Sequence, residues 1–314
     1  MRRTTKLDFA RKLKAHQIQW AASSGKSGFL ESKPDWVLRR ENKQENLFDP
    51  TWLGLINRHE HRWFRALNSS QAFGVNLFGP VAADWGLARV VFDQLVPHRS
   101  TELTDEVRVY LEYTPSDGPE WLGEAITRQP TQVDVAFEVC RSSVPLGFLL
   151  IEVKLSEAFG TCRGFKHQKK MHMDPSPCLD ARSVLANPEA NCWMVSEEKR
   201  RYWEILKSAK STLTFESLAP QAACPFRYGV YQLMRNRVLA QALVKKGGAK
   251  WADFAVCAHP SNDCGSTEAI EEFRSLFGRV ELLSIDPGIV ISAVAGSDPR
   301  RDSWAEYMRE RYGL

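Results

Sequence analysis

The chain has 314 residues, of which 43% are hydrophobic and 25% are charged, so it can hold one large domain or two average ones around an ample core. No long uninterrupted apolar run occurs, and no apolar stretch follows the basic N-terminus, so we expect no membrane span, no secretory signal and a cytoplasmic protein. The net charge of +4 permits binding to nucleic acid without indicating it, and the seven irregularly spaced cysteines argue against a disulfide framework.

The first segment, 1–68, is predicted to be a basic, helical N-terminal extension of a main domain at 69–314. Phe9, Leu13 and Trp20 recur at helical spacing, which indicates a short amphipathic helix. The excess of lysine and arginine in this segment suits an arm that contacts DNA or a partner protein. A solvated basic surface is the alternative.

The remaining elements follow from apolar periodicity and from capping and turn signals. Up to the middle of the chain, helices are predicted over 50–67, 70–79 and 82–95, and strands over 107–113, 132–140 and 147–155. Beyond it, the pattern predicts helices over 197–213, 226–244, 269–277 and 304–311, and strands over 253–258 and 280–283.

Two adjacent predicted strands carry charged side chains on one face. In the first, Asp134 and Glu138 point away from the apolar residues, and in the second, Glu152 and Lys154 share a face. Carboxylates on apolar strands are costly to bury unless a hard divalent cation compensates them, and a lysine beside the cation can hold a water or steady a phosphate. The pattern predicts a metal-dependent phosphodiester hydrolase, with an exposed charged sheet face as the alternative.

Asp134, followed after a short glycine-containing hairpin by Glu152-Val153-Lys154, resembles the motif of the PD-(D/E)xK superfamily, the restriction-endonuclease-like nucleases. The resemblance implies an α/β fold with the core order α, β, β, β, α, β and a mixed central sheet flanked by helices. It also implies that Asp134 and Glu152 bind Mg²⁺ or Mn²⁺ with a main-chain carbonyl near Val153, and that Lys154 positions or deprotonates the attacking water. The leading proline of the motif is missing, because Gln132-Val133 precedes Asp134.

Three more residues are candidates for the same site. Glu112, on the polar face of its strand, is a candidate metal ligand, and a surface glutamate is the alternative. Gln232 lies on the helix predicted after the sheet, where members of the superfamily use a glutamine to contact a metal-bound water or a phosphate. Arg235 follows on the same helical face, where its guanidinium can bind a phosphate. An ordinary amphipathic helix is the alternative for both.

Basic residues follow the second charged strand directly. They are Arg163, Lys166, Lys169 and Lys170. Because neutralising phosphates supplies much of the nonspecific affinity for DNA, their closeness to the predicted metal site favours DNA contacts over a solvated loop.

A predicted insertion at about 160–225 contains most of the cysteines. Cys162, Cys178, Cys192 and Cys224 are candidate ligands of zinc or an iron–sulfur cluster; a second option places Cys162, His167, His172 and Cys178 around zinc. Neither set contains a Cys-x-x-Cys pair, and buried reduced thiols are the alternative.

We therefore predict a Mg²⁺-dependent deoxyribonuclease, a restriction-like endonuclease for which host defence is one fitting role. The alternatives are a nuclease for RNA or structured nucleic acid, and a cleavage-inactive DNA-binding module that works with a partner protein. Since one such site cuts one strand, a homodimer is plausible.

Overall fold

A five-stranded mixed sheet organises the molecule. The computed structural model describes residues 8–56, 59–99, 105–125, 130–172, 177–208, 222–264, 266–277 and 282–314. The strands, in their order across the sheet, are β1 (Glu106–Tyr113), β2 (Val133–Arg141), β3 (Val144–Lys154), β4 (Trp251–Ala258) and β5 (Leu283–Ile285). The first three are antiparallel neighbours, and the last three run parallel. The predicted α/β class with a mixed sheet is confirmed.

Helices flank the sheet. In chain order they are α1 (Asp8–Ser23), α2 (Ser70–Ala83), α3 (Trp85–Leu95), α4 (Gly118–Trp121), α5 (Arg163–Lys170), α6 (Ala181–Ala186), α7 (Pro188–Asn191), α8 (Trp193–Ser196), α9 (Tyr202–Ser208), α10 (Val230–Lys245), α11 (Ser266–Phe277), α12 (Pro287–Ser297) and α13 (Asp302–Tyr312). Among the helices in the described ranges, none has both the length and the apolarity needed to cross a bilayer.

Strand alternation gives the sheet two apolar faces. On one face, Val135, Phe137 and Ile151 pack with residues of α2, α3, α12 and α13. On the other face, Phe148 and Leu150 pack with residues of α9, α10 and α11. Side chains of β2 and β3 that share the second face are therefore covered by helices, and charged groups among them need partners.

The β2–β3 hairpin turns without glycine. Ser142 and Ser143 occupy the turn with φ of 50° and 63°, the left-handed conformation that a two-residue hairpin requires. Gly147, which the sequence suggested for the turn, lies inside β3 instead. A Cβ there would stand 2.1 Å from the indole of Trp251, so the glycine lets this ring pack on the strand.

Helix α2 continues past the point where the sequence predicted its end. Ser69 caps it as expected, with Oγ accepting from the N–H of Ala72 at 3.3 Å. Pro80 lies inside the helix, however, and removes the donor that the carbonyl of Asn76 would normally receive. The indole N–H of Trp304, on α13, donates to that carbonyl at 2.8 Å, so a distant helix replaces the missing bond.

Other boundaries also differ from the prediction. The stretch 50–67 contains a short 3₁₀-helix at Pro50–Ile56 and turns from residue 59 onward, not one helix. Helix α9 begins at Tyr202 instead of 197, and its predicted end at 209–213 lies outside the described residues. The last strand starts at Leu283, while 280–281 also lie outside them. Helices α4 to α8 and α12 are absent from the prediction.

Residues on both sides of the predicted 68/69 boundary share one core. Leu13, Leu47 and Trp52 belong to the same cluster as the residues of α2 and of the sheet. Arg311 of α13 is fully buried and donates to the main-chain carbonyls of Asn46 at 2.8 Å and Leu67 at 3.3 Å. The C-terminal helix thus holds the N-terminal segment in place; a boundary between two units there stays a prediction.

We expect Arg311→Ala to lower the free energy of unfolding by about 2–4 kcal/mol, because buried carbonyls of the N-terminal segment lose a charged donor. Urea denaturation followed by tryptophan fluorescence measures this change. Arg309→Ala, two residues earlier on the exposed side of α13, is the matched control and should change stability by less than about 0.5 kcal/mol. Equal losses for the two variants would contradict the assigned role.

Candidate active site

Three acidic residues lie in one row across the sheet. Leu111 pairs with Val135 and Val135 pairs with Ile151, so the next residues along, Glu112, Asp134 and Glu152, are cross-strand neighbours on β1, β2 and β3. The sequence places each acid on a strand, and the strand register brings them to the same end of the sheet.

Asp134, Glu152 and Lys154 lie together in a hydrogen-bonded group, in which Glu152 and Lys154 are buried and Asp134 is half-buried. The backbone N–H of Val153 donates to Oδ2 of Asp134 over 2.6 Å, and Nζ of Lys154 lies 2.5 Å from Oε1 of Glu152. Glu152 is 2% exposed and Lys154 is 6% exposed. The alternative of a wet, charged sheet face is therefore wrong, because helices cover this end of the strands.

Two side chains of helix α10 donate hydrogen bonds to the Glu152 carboxylate. Nε2 of Gln232 donates to Oε1 of Glu152 at 2.5 Å, and Nδ2 of Asn236 donates to Oε2 at 2.6 Å. The N–H of Gly160 donates in turn to Oε1 of Gln232 at 2.7 Å. Asn236 is absent from the sequence-based prediction, although its spacing of four residues from Gln232 puts it on the same helical face.

Glu112 reaches this site through a strained backbone. Its φ of 54° is rare for a residue with a side chain and breaks the alternation of β1. Strict alternation would put Tyr113 on the same face as Leu111, but Tyr113 instead stacks on Phe148 on the opposite face. Glu112 is 5% exposed and accepts from Nε2 of Gln71 at 2.7 Å, so it is not a surface glutamate.

The carboxyl groups of the site lie close together, and the pKa values of two of them are raised. Burial raises the pKa of Asp134 well above its ordinary value, and the charges of Glu152 and Glu112 raise it further against the opposing effect of Lys154. Burial also raises the pKa of Glu112 to about 7, although the hydrogen bond from Gln71 lowers it. A bound cation stabilises ionised carboxylates, so the electrostatics of these residues suit one.

Lys154 carries its charge in this setting. Burial by itself lowers the pKa of Lys154, but the carboxylates of Glu152, Glu157 and Asp134 more than offset this and hold it above its ordinary value. A protonated lysine can position a water or a phosphate through its N–H groups. Glu157, 3.9 Å from Nζ and missing from the prediction, takes part in this charge balance.

A cleft of about 750 Å³ opens over the acidic row. Glu112, Asp134, Glu152, Gln232 and Arg235 line it, and Lys154, which is bonded to Glu152, is not part of the lining. Much of the remaining lining has no counterpart in the prediction: it includes His59, Glu60, His61, Arg62 and Trp63 from the N-terminal segment and Arg200, Tyr202 and Tyr231 from the opposite side.

The N-terminal side of the cleft is aromatic and cationic. The Trp63 ring is 55% exposed and stacks on Trp36 with centroids 6.2 Å apart. The Arg62 guanidinium lies 5.2 Å from the Trp63 centroid. Exposed aromatic rings beside cations are the surfaces on which nucleic-acid bases stack. Nothing local in the sequence signals this, because the chain packing brings residues 59–63 to the site.

The predicted DNA contacts divide into two groups. Arg163 and Arg235 line the cleft, and Arg235 donates to Oγ1 of Thr131 at 3.1 and 3.2 Å. Lys166, Lys169 and Lys170 are exposed on α5 outside the cleft lining. Contacts between any of these residues and DNA stay a prediction.

The donors at the acidic row fit a hard divalent cation. Asp134 and Glu152 offer carboxylate oxygens, and the main chain near Val153 offers a carbonyl, which are the ligands that Mg²⁺ and Mn²⁺ prefer. In the described part of the chain, no three histidine, cysteine, aspartate or glutamate side chains converge on one point. A cation here would therefore combine two carboxylates with main-chain oxygen and water, and Glu112 as a direct ligand stays a prediction.

The cysteines of the predicted insertion also meet. Cys162, Cys178, Cys192 and Cys224 all line one small cavity, together with Tyr231 and Met234 of α10. His167 and His172 are exposed and lie outside this lining. The alternative zinc set with two histidines is therefore not assembled. The four cysteines line the same cavity, but in the described part of the chain no three of them form a group that could hold a metal ion, and a bound metal stays a prediction.

One comparison with known proteins identifies a relationship. A family model described as restriction endonuclease associating with ARP matches residues 31–313. The match includes both the N-terminal side of the cleft and the acidic row. Neither a curated protein nor a solved structure matches the sequence.

Proposed function

We propose a function from one established premise: the chain belongs to the REase-ARP family, the restriction endonucleases associating with ARP. Family membership indicates a nuclease. We propose that it hydrolyses phosphodiester bonds in DNA and that the reaction depends on Mg²⁺ or Mn²⁺. The observation that carries this proposal is the pair Asp134 and Glu152 in the lining of a cleft with a cationic, aromatic rim, with Lys154 bonded to Glu152.

Each residue has a defined task in the proposed reaction. Asp134 and Glu152 would hold the cation, and Gln232 and Asn236 fix the Glu152 carboxylate for that purpose. The cation, when bound, supplies charge stabilisation at the scissile phosphate and the leaving oxygen. Lys154 orients the water that attacks phosphorus. The new P–O bond forms as the bond to the leaving oxygen breaks, and the proton of the water passes to solvent.

The test is cleavage of linear, circular and single-stranded DNA and of RNA by the purified chain, with Mg²⁺, Mn²⁺ or EDTA. We expect metal-dependent cleavage of DNA, stopped by EDTA and reduced at least about 10²-fold in Glu152→Gln. Glu271→Gln, which changes an exposed glutamate outside the acidic row and outside the cleft lining, is the control. Cleavage that persists in EDTA would contradict the proposal, and cleavage of RNA alone would move the substrate to the predicted alternative.

A partner protein is the second element of the proposal. The family description names association with ARP, so we propose that the active form in the cell includes such a partner. A cleavage-inactive DNA-binding module that serves a partner is the rival function. Calorimetric titration with Mn²⁺ separates the two: an enzyme binds the ion and loses it in Glu152→Gln, whereas an inactive module shows no such binding. Restriction in host defence is the role that we propose for the enzyme.

A further inference from the structure

One tryptophan in the wall of the cleft is exposed to solvent. Of the tryptophan and tyrosine side chains that line the cleft in the described part of the chain, Tyr202 and Tyr231 are 3% and 6% exposed, whereas Trp63 is 55% exposed. An indole left in water forgoes the stabilisation that burial of a large apolar ring gives. An open ring in the same cleft as the acidic row is therefore a candidate contact for a ligand.

The backbone on both sides of this tryptophan is fixed by buried amide side chains. Gln71, which is 4% exposed, donates to the carbonyl of His59 at 2.7 Å and accepts from the N–H of His61 at 2.8 Å. Nδ2 of Asn46, which is fully buried, donates to the carbonyl of Phe64 at 2.5 Å. The ring is thus held in place before any ligand binds, which lowers the entropy cost of binding.

The same contacts tie the ring to the acidic row. Nε2 of Gln71 also donates to Oε1 of Glu112 at 2.7 Å. On the other side, Trp36 stacks on Trp63 with 23° between the two planes, and the N–H of Leu67 donates to the carbonyl of Trp36 at 3.0 Å. The two indoles are therefore fixed relative to each other and to one of the acids.

Cations lie beside both rings. Nζ of Lys14 lies 3.8 Å from the centroid of Trp36, and the Arg62 guanidinium lies 5.2 Å from the centroid of the exposed indole. Glu60, a neighbouring acid in the lining, forms an ion pair with Lys43. Positive charge beside an open aromatic surface complements a nucleic-acid strand, in which bases alternate with phosphates along the chain.

We propose that Trp63 stacks on an unpaired base of the bound DNA strand, so that the preferred substrate carries single-stranded nucleotides beside the cut. Inside a duplex both faces of a base are covered by its neighbours, and only an unstacked base can meet an indole. The cleft volume of about 750 Å³ lies in the range of sites that enclose small ligands, which suits roughly one or two nucleotides. Because the ligand is DNA, this role of Trp63 rests on the proposed function.

The test is binding of labelled oligonucleotides to the full chain in Ca²⁺, measured by fluorescence anisotropy. The probes are a short single strand, the same strand with abasic sites in place of its bases, and the same strand paired into a blunt duplex. We expect the wild type to bind the intact single strand at least about 5-fold more tightly than the abasic strand. Trp63→Ala should weaken binding of the intact strand by about 5- to 150-fold and leave the affinity for the abasic strand within about twofold.

Three further variants separate stacking from charge and from general damage. Trp63→Phe keeps an aromatic face and should restore most of the lost affinity. Trp85→Ala removes a tryptophan that is 48% exposed and lies outside the cleft lining, and it should leave binding of all three probes unchanged. Arg62→Ala should weaken the intact and abasic strands alike and reduce the slope of log affinity against log salt by about 0.7.

Three results would overturn the stacking role. They are equal affinity of the wild type for intact and abasic strands, tighter binding of the blunt duplex than of the single strand, and a folded Trp63→Ala variant that binds like the wild type. The first two need only the wild-type chain, so an unfolded variant does not weaken the test. A chain that cleaves DNA without base-dependent binding refutes stacking alone, whereas one that binds with the expected preference but never cleaves refutes the nuclease alone.

Discussion

Lys154→Met is expected to reduce metal-dependent DNA cleavage by about 10²–10⁴-fold while DNA affinity stays within about twofold of the wild type. Lys154 is the cation closest to the row of acids, with Nζ 2.5 Å from Glu152 and 3.9 Å from Glu157. The carboxylates hold it protonated, so its loss removes the group that orients the attacking water. Lys154 is not among the residues that line the cleft, so binding of the DNA backbone should persist.

The measurement is single-turnover cleavage with saturating enzyme, beside fluorescence anisotropy with labelled DNA in Ca²⁺. Methionine preserves the aliphatic stem and the packing on Phe159, whose ring lies 5.4 Å from Nζ. Glu157→Gln is the matched control, because it removes the half-exposed neighbour of Lys154 and leaves Glu152 bonded. A methionine variant that cleaves at the wild-type rate would refute the assignment. Loss of DNA affinity would show instead that Lys154 binds substrate.

Local periodicity was sufficient to predict the strands of the site. Alternation along 132–140 and 147–155 placed Asp134, Glu152 and Lys154 on one face, and the structure has them there. Strand alternation depends only on near neighbours, which is why a single sequence carries it. Helix α10 and strand β4 were also predicted from local patterns of residue types.

Features that depend on contacts between residues far apart in the chain were not predicted from the sequence. Trp63 and Arg62 reach the cleft because Arg311 and the shared core hold the N-terminal segment. Helix α2 continues beyond Pro80 with the help of Trp304, more than 200 residues away, whose indole N–H donates to the carbonyl of Asn76. The break in alternation at Glu112 follows from its backbone conformation, which no pattern of residue types indicated. Such contacts appear only when the whole chain is folded.

Asp134→Asn is expected to stabilise the metal-free protein while abolishing its stabilisation by Mn²⁺. Burial and the charges of Glu152 and Glu112 raise the pKa of Asp134, so its ionised form destabilises the folded state. Asparagine has the same shape and keeps an oxygen to accept from the N–H of Val153. We expect a rise in metal-free Tm of roughly 2–4 °C at pH 8, which corresponds to about 1 kcal/mol.

The sign of the pH dependence follows from the same shift. A carboxyl whose folded pKa is raised costs no stability below its unfolded pKa of about 3.9, and its cost grows as pH rises toward the folded value. The variant should therefore match the wild type near pH 4 and exceed it progressively at higher pH. Thermal denaturation in EDTA across this range measures the difference.

Metal binding should reverse the order of stability of the wild type and the Asp134→Asn variant. Mn²⁺ at about 100 times its dissociation constant should stabilise the wild type by about 2.7 kcal/mol and the asparagine variant hardly at all.

Glu138→Gln is the matched control, because Glu138 lies on the same face of β2 but accepts from the Tyr110 hydroxyl at 3.0 Å. That variant should keep the Mn²⁺ response and gain no metal-free stability. An asparagine variant that responds to Mn²⁺ like the wild type would remove Asp134 from the ligand set, whereas a lower metal-free Tm would show that its carboxylate is needed for folding. The expected combination, more stability and no metal response, is what a charged site kept for binding a cation and not for folding should show.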